Sequence, residues 1–234
     1  MAKVLAVLSS GYINEEHNYV TGWWAEELFA PALELEKEGH MVELASIDGG
    51  KPIVDPISIS AEYDPEGIYK KQYESGIADK TMPIVNVRAS DYDAIMIVGG
   101  HGAMFDLAHN EDLHAVINVV YETGGIVSAV CHGPAPLVYT KTKEGRSLLE
   151  GLKVTGYPNN KEPKEVVELL PFSLEDELNK IGIYHQEKDH DAYVVWGSKQ
   201  VLTGRDPQSS ELFGRELAQK LTKRTLQSEE KFTK

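Results

Sequence analysis

The sequence predicts an α/β fold, a mostly parallel sheet sandwiched by helices. Three observations carry this. Short, continuous apolar runs recur at residues 4–8, 41–47, 94–98 and 126–130. Helical patterns lie between them, and Gly, Ser or Asp bounds each run. Strands that are apolar throughout, and not alternating, are covered on both faces, as in a parallel sheet with crossover helices.

Taken in order, residues 4–8 read as a buried first strand. Ser9-Ser10-Gly11 interrupts it too early for a signal-peptide core. A helix is expected at 31–38, opened by Pro31, with Leu33 and Leu35 apolar and Gly39 as its stop. After the strand at 41–47 comes a stretch, 48–88, rich in Asp, Pro, Tyr and Lys and without clear periodicity. Between the strands at 94–98 and 126–130, Leu113, Val116, Ile117 and Val120 share one helical face, ended by Thr123-Gly124-Gly125. Residues 157–191 are polar apart from a short helix at 174–181. The helix at 210–221 aligns Phe213, Leu217 and Leu221. Loops as long as 48–88 and 157–191 are usually lids or small elaborations. The expected organisation is one domain over 1–223 and a frayed tail over 224–234.

The 234 residues are 41% hydrophobic and 26% charged, which excludes a disordered chain. No apolar stretch reaches the roughly 18 residues of a membrane span. Twenty-three basic residues against 37 acidic ones give a net charge of −14, so nucleic acid and membrane are poor partners. The single cysteine, Cys131, excludes an internal disulfide and a Cys-rich zinc site. It points to a reducing compartment, most simply the cytoplasm.

That cysteine ends the run Ile126-Val127-Ser128-Ala129-Val130-Cys131-His132-Gly133-Pro134. Small residues two before and two after it suit a tight strand–turn–helix elbow that holds a nucleophile at the carboxyl end of the sheet. The helix opened by Pro134 would favour the thiolate and lower the pKa. The competing reading is a buried packing cysteine; the elbow context favours the nucleophile. Gly99-Gly100-His101-Gly102 ends the neighbouring strand, and its bare N–H groups could form an oxyanion hole. His101 either contacts substrate or caps the turn. Of Glu26 and Glu27, one could be a buried proton shuttle, or both could simply favour a helix N-terminus. His17, His40, His109 and His114 have no ligand spacing and read as surface or helix-face residues. His185-Gln186-Glu187 and His190-Asp191 read as a solvated loop, and no metal-binding motif stands out.

Four segments in chain order together resemble the ThiJ/PfpI superfamily, glyoxalase III and heat-shock-chaperone branch. They are Gly22-Trp23-Trp24-Ala25-Glu26-Glu27 with Pro31, Gly99-Gly100-His101-Gly102, Ala129-Val130-Cys131-His132-Gly133-Pro134, and Val201-Leu202-Thr203-Gly204 with Pro207-Gln208-Ser209-Ser210. Where the branch commonly reads Gln-Asn before the late proline, this chain has Arg205-Asp206. The resemblance implies a flavodoxin-like, class I glutamine amidotransferase-like fold whose small cap comes from about 48–88 and 157–191. It implies a Cys131–His132–Glu162 triad, with Glu165 as the alternative third member, and Glu27 beside the sulfur. It further implies a homodimer, no cofactor, no metal, and substrate or oxyanion contacts at Gly100, His101 and Gly102.

The activity implied is a cofactor-independent lyase that converts methylglyoxal and similar 2-oxoaldehydes to 2-hydroxy acids without glutathione. Deglycation and the holding of unfolded proteins are further roles of the branch. Glycated and unfolded proteins therefore join the small aldehyde as expected partners. The competing functions are a redox-sensing or holding stress protein, a glutaminase that would use His185-Gln186-Glu187, and a cysteine peptidase.

Overall fold

The computed structural model describes residues 1–186 and 192–232, with side chains to residue 227. The strands are β1 (Lys3–Leu8), β2 (Tyr12–Asn14), β3 (Tyr19–Thr21), β4 (Met41–Ser46), β5 (Met82–Pro83), β6 (Ala94–Ile97), β7 (Ile126–Val130), β8 (Lys153–Val154), β9 (Ile183–Tyr184), β10 (Val194–Trp196) and β11 (Val201–Gly204). The helices are α1 (Ala25–Lys37), α2 (Ile68–Glu74), α3 (Glu111–Glu122), α4 (Ala135–Tyr139), α5 (Lys164–Val167), α6 (Leu174–Ile181) and α7 (Ser210–Phe232).

Seven strands form the central sheet in the order β10-β11-β7-β6-β1-β4-β5. Every pair is parallel except β10 with β11 at one edge. Register aligns Leu5 with Ile95 and Ile95 with Val127, so alternate residues of the central strands share a face. Leu5, Val7, Ile95, Ile97 and Val127 pack with Leu113 and Ile117 of α3 and Leu137 of α4. Val4, Ala6, Leu8, Met96 and Leu202 pack with Leu28 and Leu35 of α1 and with Phe213 and Leu217 of α7. Both faces are therefore covered, which is why the strands are apolar throughout. Each fully buried Leu or Phe contributes about 1.5–3 kcal/mol of transfer free energy.

The four strands and the face of α3 stand where the sequence puts them, and α6 matches its expected bounds. α1 does not. It begins at Ala25, so Pro31 lies inside the helix and does not open it. A mid-helix proline forfeits the bond its N–H would give to the carbonyl four residues back, here that of Glu27. Packing overrides this: Leu28, Phe29, Pro31 and Leu35 are buried, and Pro31 lies against Gly214 of α7. Leu33, expected on the apolar side, is exposed.

The stretch 48–88 is more ordered than its composition suggests. It holds a 3₁₀ turn over Pro56–Ile59 capped by Asp55, then α2 and the edge strand β5. α7 runs to Phe232, so the tail expected to fray from 224 is helical there, and the Arg224 guanidinium donates to the Gly124 and Lys199 carbonyls. His40 is buried and not a surface residue. Its Nδ1 accepts from the Ala2 N–H, which leaves Nε2 to donate to the Ala218 carbonyl and Thr222 Oγ1. Among the described residues no helix is long and apolar enough to cross a membrane.

Candidate active site

Three neighbouring strands, β6, β7 and β11, end on one side of the sheet, and the turns leaving them carry Gly99-Gly100-His101-Gly102, Cys131-His132 and Arg205-Asp206. Ligands in open α/β sheets bind beyond such carboxyl ends. Cys131, immediately after β7, has φ = +60°, a left-handed conformation costing a non-glycine residue about 1–2 kcal/mol. This is the elbow the flanking small residues predict. A Cβ at Gly133 would collide with the Ile97 and Val130 carbonyls.

His132 Nδ1 lies 3.3 Å from Cys131 Sγ, and its Nε2 lies 2.6 Å from Glu162 Oε1. The other oxygen of Glu162 accepts from His101 Nε2 at 3.0 Å. Glu162 is thus gripped by two imidazoles, whose rings stand edge to face with centroids 4.4 Å apart. Glu165 is exposed on α5. Tyr157 covers His132 with ring centroids 4.8 Å apart, and its N–H donates to the Cys131 carbonyl, which ties the segment carrying Glu162 to the elbow.

Glu27 is fully buried in the first turn of α1, while Glu26 turns toward the cavity. A Cβ on Gly99 would collide with Glu27 Oε2 and Cys131 Cβ, so the glycine makes room for that carboxyl beside the sulfur. Burial pushes the Glu27 pKa well up, only partly offset by the nearby Cys131 thiol and Gly99 N–H. Neither Glu27 oxygen has a hydrogen bond of ordinary length and angle among the described residues. Burial and repulsion from Asp206 raise Glu26 to about 7.

The electrostatics differ from the expected lowered thiol pKa. Burial, then the carboxylates of Glu27 and Glu162, push the Cys131 thiol well up, and the Gly100 N–H only partly opposes them. His132 is shifted down, by burial and by His101, against the pull of Glu162. Burial opposes the charge of Glu162, but the bonds from His101 and His132 outweigh it and hold its carboxyl at about 2. The resting site therefore holds a thiol, a neutral His132 and an ionised Glu162. Cys131 is 3% exposed and meets the cavity at its floor.

The expected oxyanion donor of Gly102 is committed elsewhere, and so is the N–H of Cys131. The Gly102 N–H donates to the Gly22 carbonyl and the Cys131 N–H to that of Gly204. The Gly100 N–H faces the sulfur, and the His101 side chain is occupied with Glu162. In the Arg205-Asp206 departure both residues are buried, and Asp206 accepts from Arg205 Nε, Lys161 Nζ and Ser209 Oγ. The His185 N–H pairs with the Val154 carbonyl of β8; Glu187, His190 and Asp191 lie outside the described residues.

A cavity of about 650 Å³ opens over Cys131. Ile57, Glu62 and Tyr63 line it from the first polar stretch, and Tyr157, Lys161 and Val166 from the second. Tyr19, Trp24, Glu26, Asp55 and Asp206 also line it. No local spacing identifies these lining residues in the sequence; the fold alone assembles them.

The DJ-1/PfpI family model matches residues 21–220. A glutathione-independent glyoxalase of Schizosaccharomyces pombe is 35% identical over 166 residues, 66% of this chain and 67% of that protein. Glyoxalase 3 of Candida albicans is 30% identical over 226 residues, 90% of this chain and 94% of its own. The crystal structure of glyoxalase III from Candida albicans superposes with a TM-score of 0.82 at 25% identity, covering 92% of this chain and 95% of that one.

Proposed function

The chain belongs to the DJ-1/PfpI family, and from that premise we propose that it is a glutathione-independent glyoxalase converting methylglyoxal and similar 2-oxoaldehydes to 2-hydroxy acids. The observation that carries this reading is the line Cys131 Sγ–His132 Nδ1–His132 Nε2–Glu162, with buried Glu27 on the other side of the sulfur.

The raised thiol pKa shapes the chemistry. Neutral His132 accepts the Cys131 proton at Nδ1 as the sulfur attacks the aldehyde carbon, and ionised Glu162 stabilises the imidazolium that results. His132 then returns that proton to the aldehyde oxygen, completing a hemithioacetal. Glu27 is the candidate to move the carbon-bound proton from C1 to C2 through an enediol, its carboxylate form accepting the C1 proton and returning it at C2. The product is a thioester of the 2-hydroxy acid. Water cleaves it, supplies the acid oxygen and restores the thiol. The two polar stretches lining the cavity act as the cap over this reaction. The chain works as a homodimer in the cytoplasm, which sedimentation and fractionation would check.

The test is methylglyoxal loss with stoichiometric lactate formation by purified protein, without glutathione, beside Cys131→Ala. Turnover in the wild type alone supports the reading. Turnover retained in the variant, or absent from both, overturns it.

A further inference from the structure

One ring nitrogen each of His101 and His132 and a carboxylate oxygen of Glu162 lie within 4.8 Å of one another, beside the cavity that the two histidines line. They come from three separate segments, and their side chains are only 14%, 3% and 7% exposed. Two imidazole nitrogens and one carboxylate are a donor set that zinc takes, with a fourth position left for water from the cavity. Asp55 and Glu62 also line the cavity and favour a cation there, while Asp206 is already paired with Lys161 and Arg205.

We propose that His101, His132 and Glu162 bind a divalent zinc ion, and that this ion reversibly silences Cys131 without touching its sulfur. Zinc–nitrogen and zinc–oxygen bonds of about 2.0–2.2 Å place tetrahedral ligands roughly 3.3 Å apart. The present carboxylate–imidazole separations of 2.6 and 3.0 Å need to open by less than an ångström. The widest separation in the cluster, 4.8 Å at most, closes by about 1.5 Å through ring rotation toward the ion.

The inhibition follows from proton placement. An ionised carboxylate only accepts hydrogen bonds, so both Nε2 atoms carry the hydrogen when Glu162 bridges them. The ion needs those lone pairs, so the neutral His132 ring moves its proton from Nε2 to Nδ1 as the metal–nitrogen bond forms. His132 loses no proton and no electron changes hands. In His132 this puts an N–H on the atom 3.3 Å from Cys131 Sγ. A nitrogen that already holds a proton cannot take one from the thiol. The inhibition rests on the reading of His132 as the base; the binding does not.

The test uses Zn²⁺ titration by calorimetry and the visible spectrum of the Co²⁺ form, on the full chain. The expected result is one site in the wild type. Cys131→Ala retains it within about threefold, and the wild type shows no thiolate-to-cobalt charge transfer. His101→Ala loses affinity by about 100-fold or more, as does Glu162→Gln, with folding of each checked by circular dichroism. Zinc should also stop turnover, and a chelator should restore it. Binding lost in Cys131→Ala, retained in both ligand variants, or absent from the folded wild type overturns the site. Binding at the site with turnover unchanged overturns the inhibition. Absence of turnover before any metal is added counts against the glyoxalase reading alone, because the binding measurements still decide the site.

Discussion

His132 and Glu162 are 30 residues apart in the chain, yet His132 Nε2 and Glu162 Oε1 are 2.6 Å apart. That bond orients the imidazole so that its other nitrogen faces the sulfur. The site does not keep a stored thiolate. It holds a neutral thiol, a neutral base and a fixed negative charge behind the base, so charge separates only when the sulfur attacks. Burial sets this arrangement: it raises Cys131 and Glu27 and lowers His132, and only Glu162, with two donors, overcomes it.

Cys131→Ala removes the nucleophile and leaves the turn. Alanine at φ = +60° bears the same backbone strain as cysteine and loses only one buried sulfur. Turnover should fall by at least about 10³-fold, since no covalent intermediate can form. The melting temperature should move by only a few degrees, measured by circular dichroism. A variant that unfolds would show that the elbow depends on the sulfur for packing.

Glu27→Gln keeps the shape of a fully buried side chain and removes its acid–base function. The expected loss is on the order of 10²–10⁴-fold in kcat, with KM nearly unchanged, because the amide keeps the side chain's shape and only the proton transfer is lost. Thermal stability should not fall, since the amide cannot carry the charge that burial disfavours. Steady-state kinetics with a melt of the same sample checks both. A rise in KM at constant kcat would make Glu27 a binding residue.

The sequence carried the sheet and the elbow because both are local. Apolar runs between glycines fix strands, and the small residues around Cys131 fix a tight turn. The start of α1 was unreadable because Pro31 normally opens a helix, and only Gly214, 183 positions later, shows why it sits inside one. The bond between His101 and Glu162 had no signal, since its partners are 61 residues apart. The thiol pKa departs from what the sequence predicts for a related reason. A helix N-terminus is visible in sequence, but the burial that overrides it is a property of the assembled fold.

Gly214→Ala tests the contact between α1 and α7. A Cβ there would collide with the Pro31 backbone, which cannot yield as a flexible side chain would. Overpacking of this kind costs typically 1–3 kcal/mol, more than alanine gains in helix propensity. The melting temperature should drop by about 2–10 °C, read by calorimetry, and Glu27 should shift with α1 and slow turnover. Unchanged stability would mean that the helices separate at little cost.

Asp106 gives a pH dependence with a definite sign. It lies in a single π-helical turn over Ala103–Leu107, where its Oδ2 accepts the Ser10 N–H at 2.6 Å. Burial raises its pKa from 3.8 to about 6, against hydrogen bonds from Ser9, Ser10 and Gly11. Below pH 3.8 both folded and unfolded chains hold the proton. Between there and about 6 the unfolded chain releases it while the folded one keeps it, so stability falls as pH rises and then levels off. At about 1.4 kcal/mol per pKa unit the fall is up to about 3 kcal/mol. Asp106→Asn cannot titrate, and its loss or gain of packing is the same at every pH. Its melting temperature relative to the wild type should therefore rise by about 5 °C between pH 4 and pH 7. A difference that stays constant across that range would show that Asp106 is already charged at pH 4 in the folded protein.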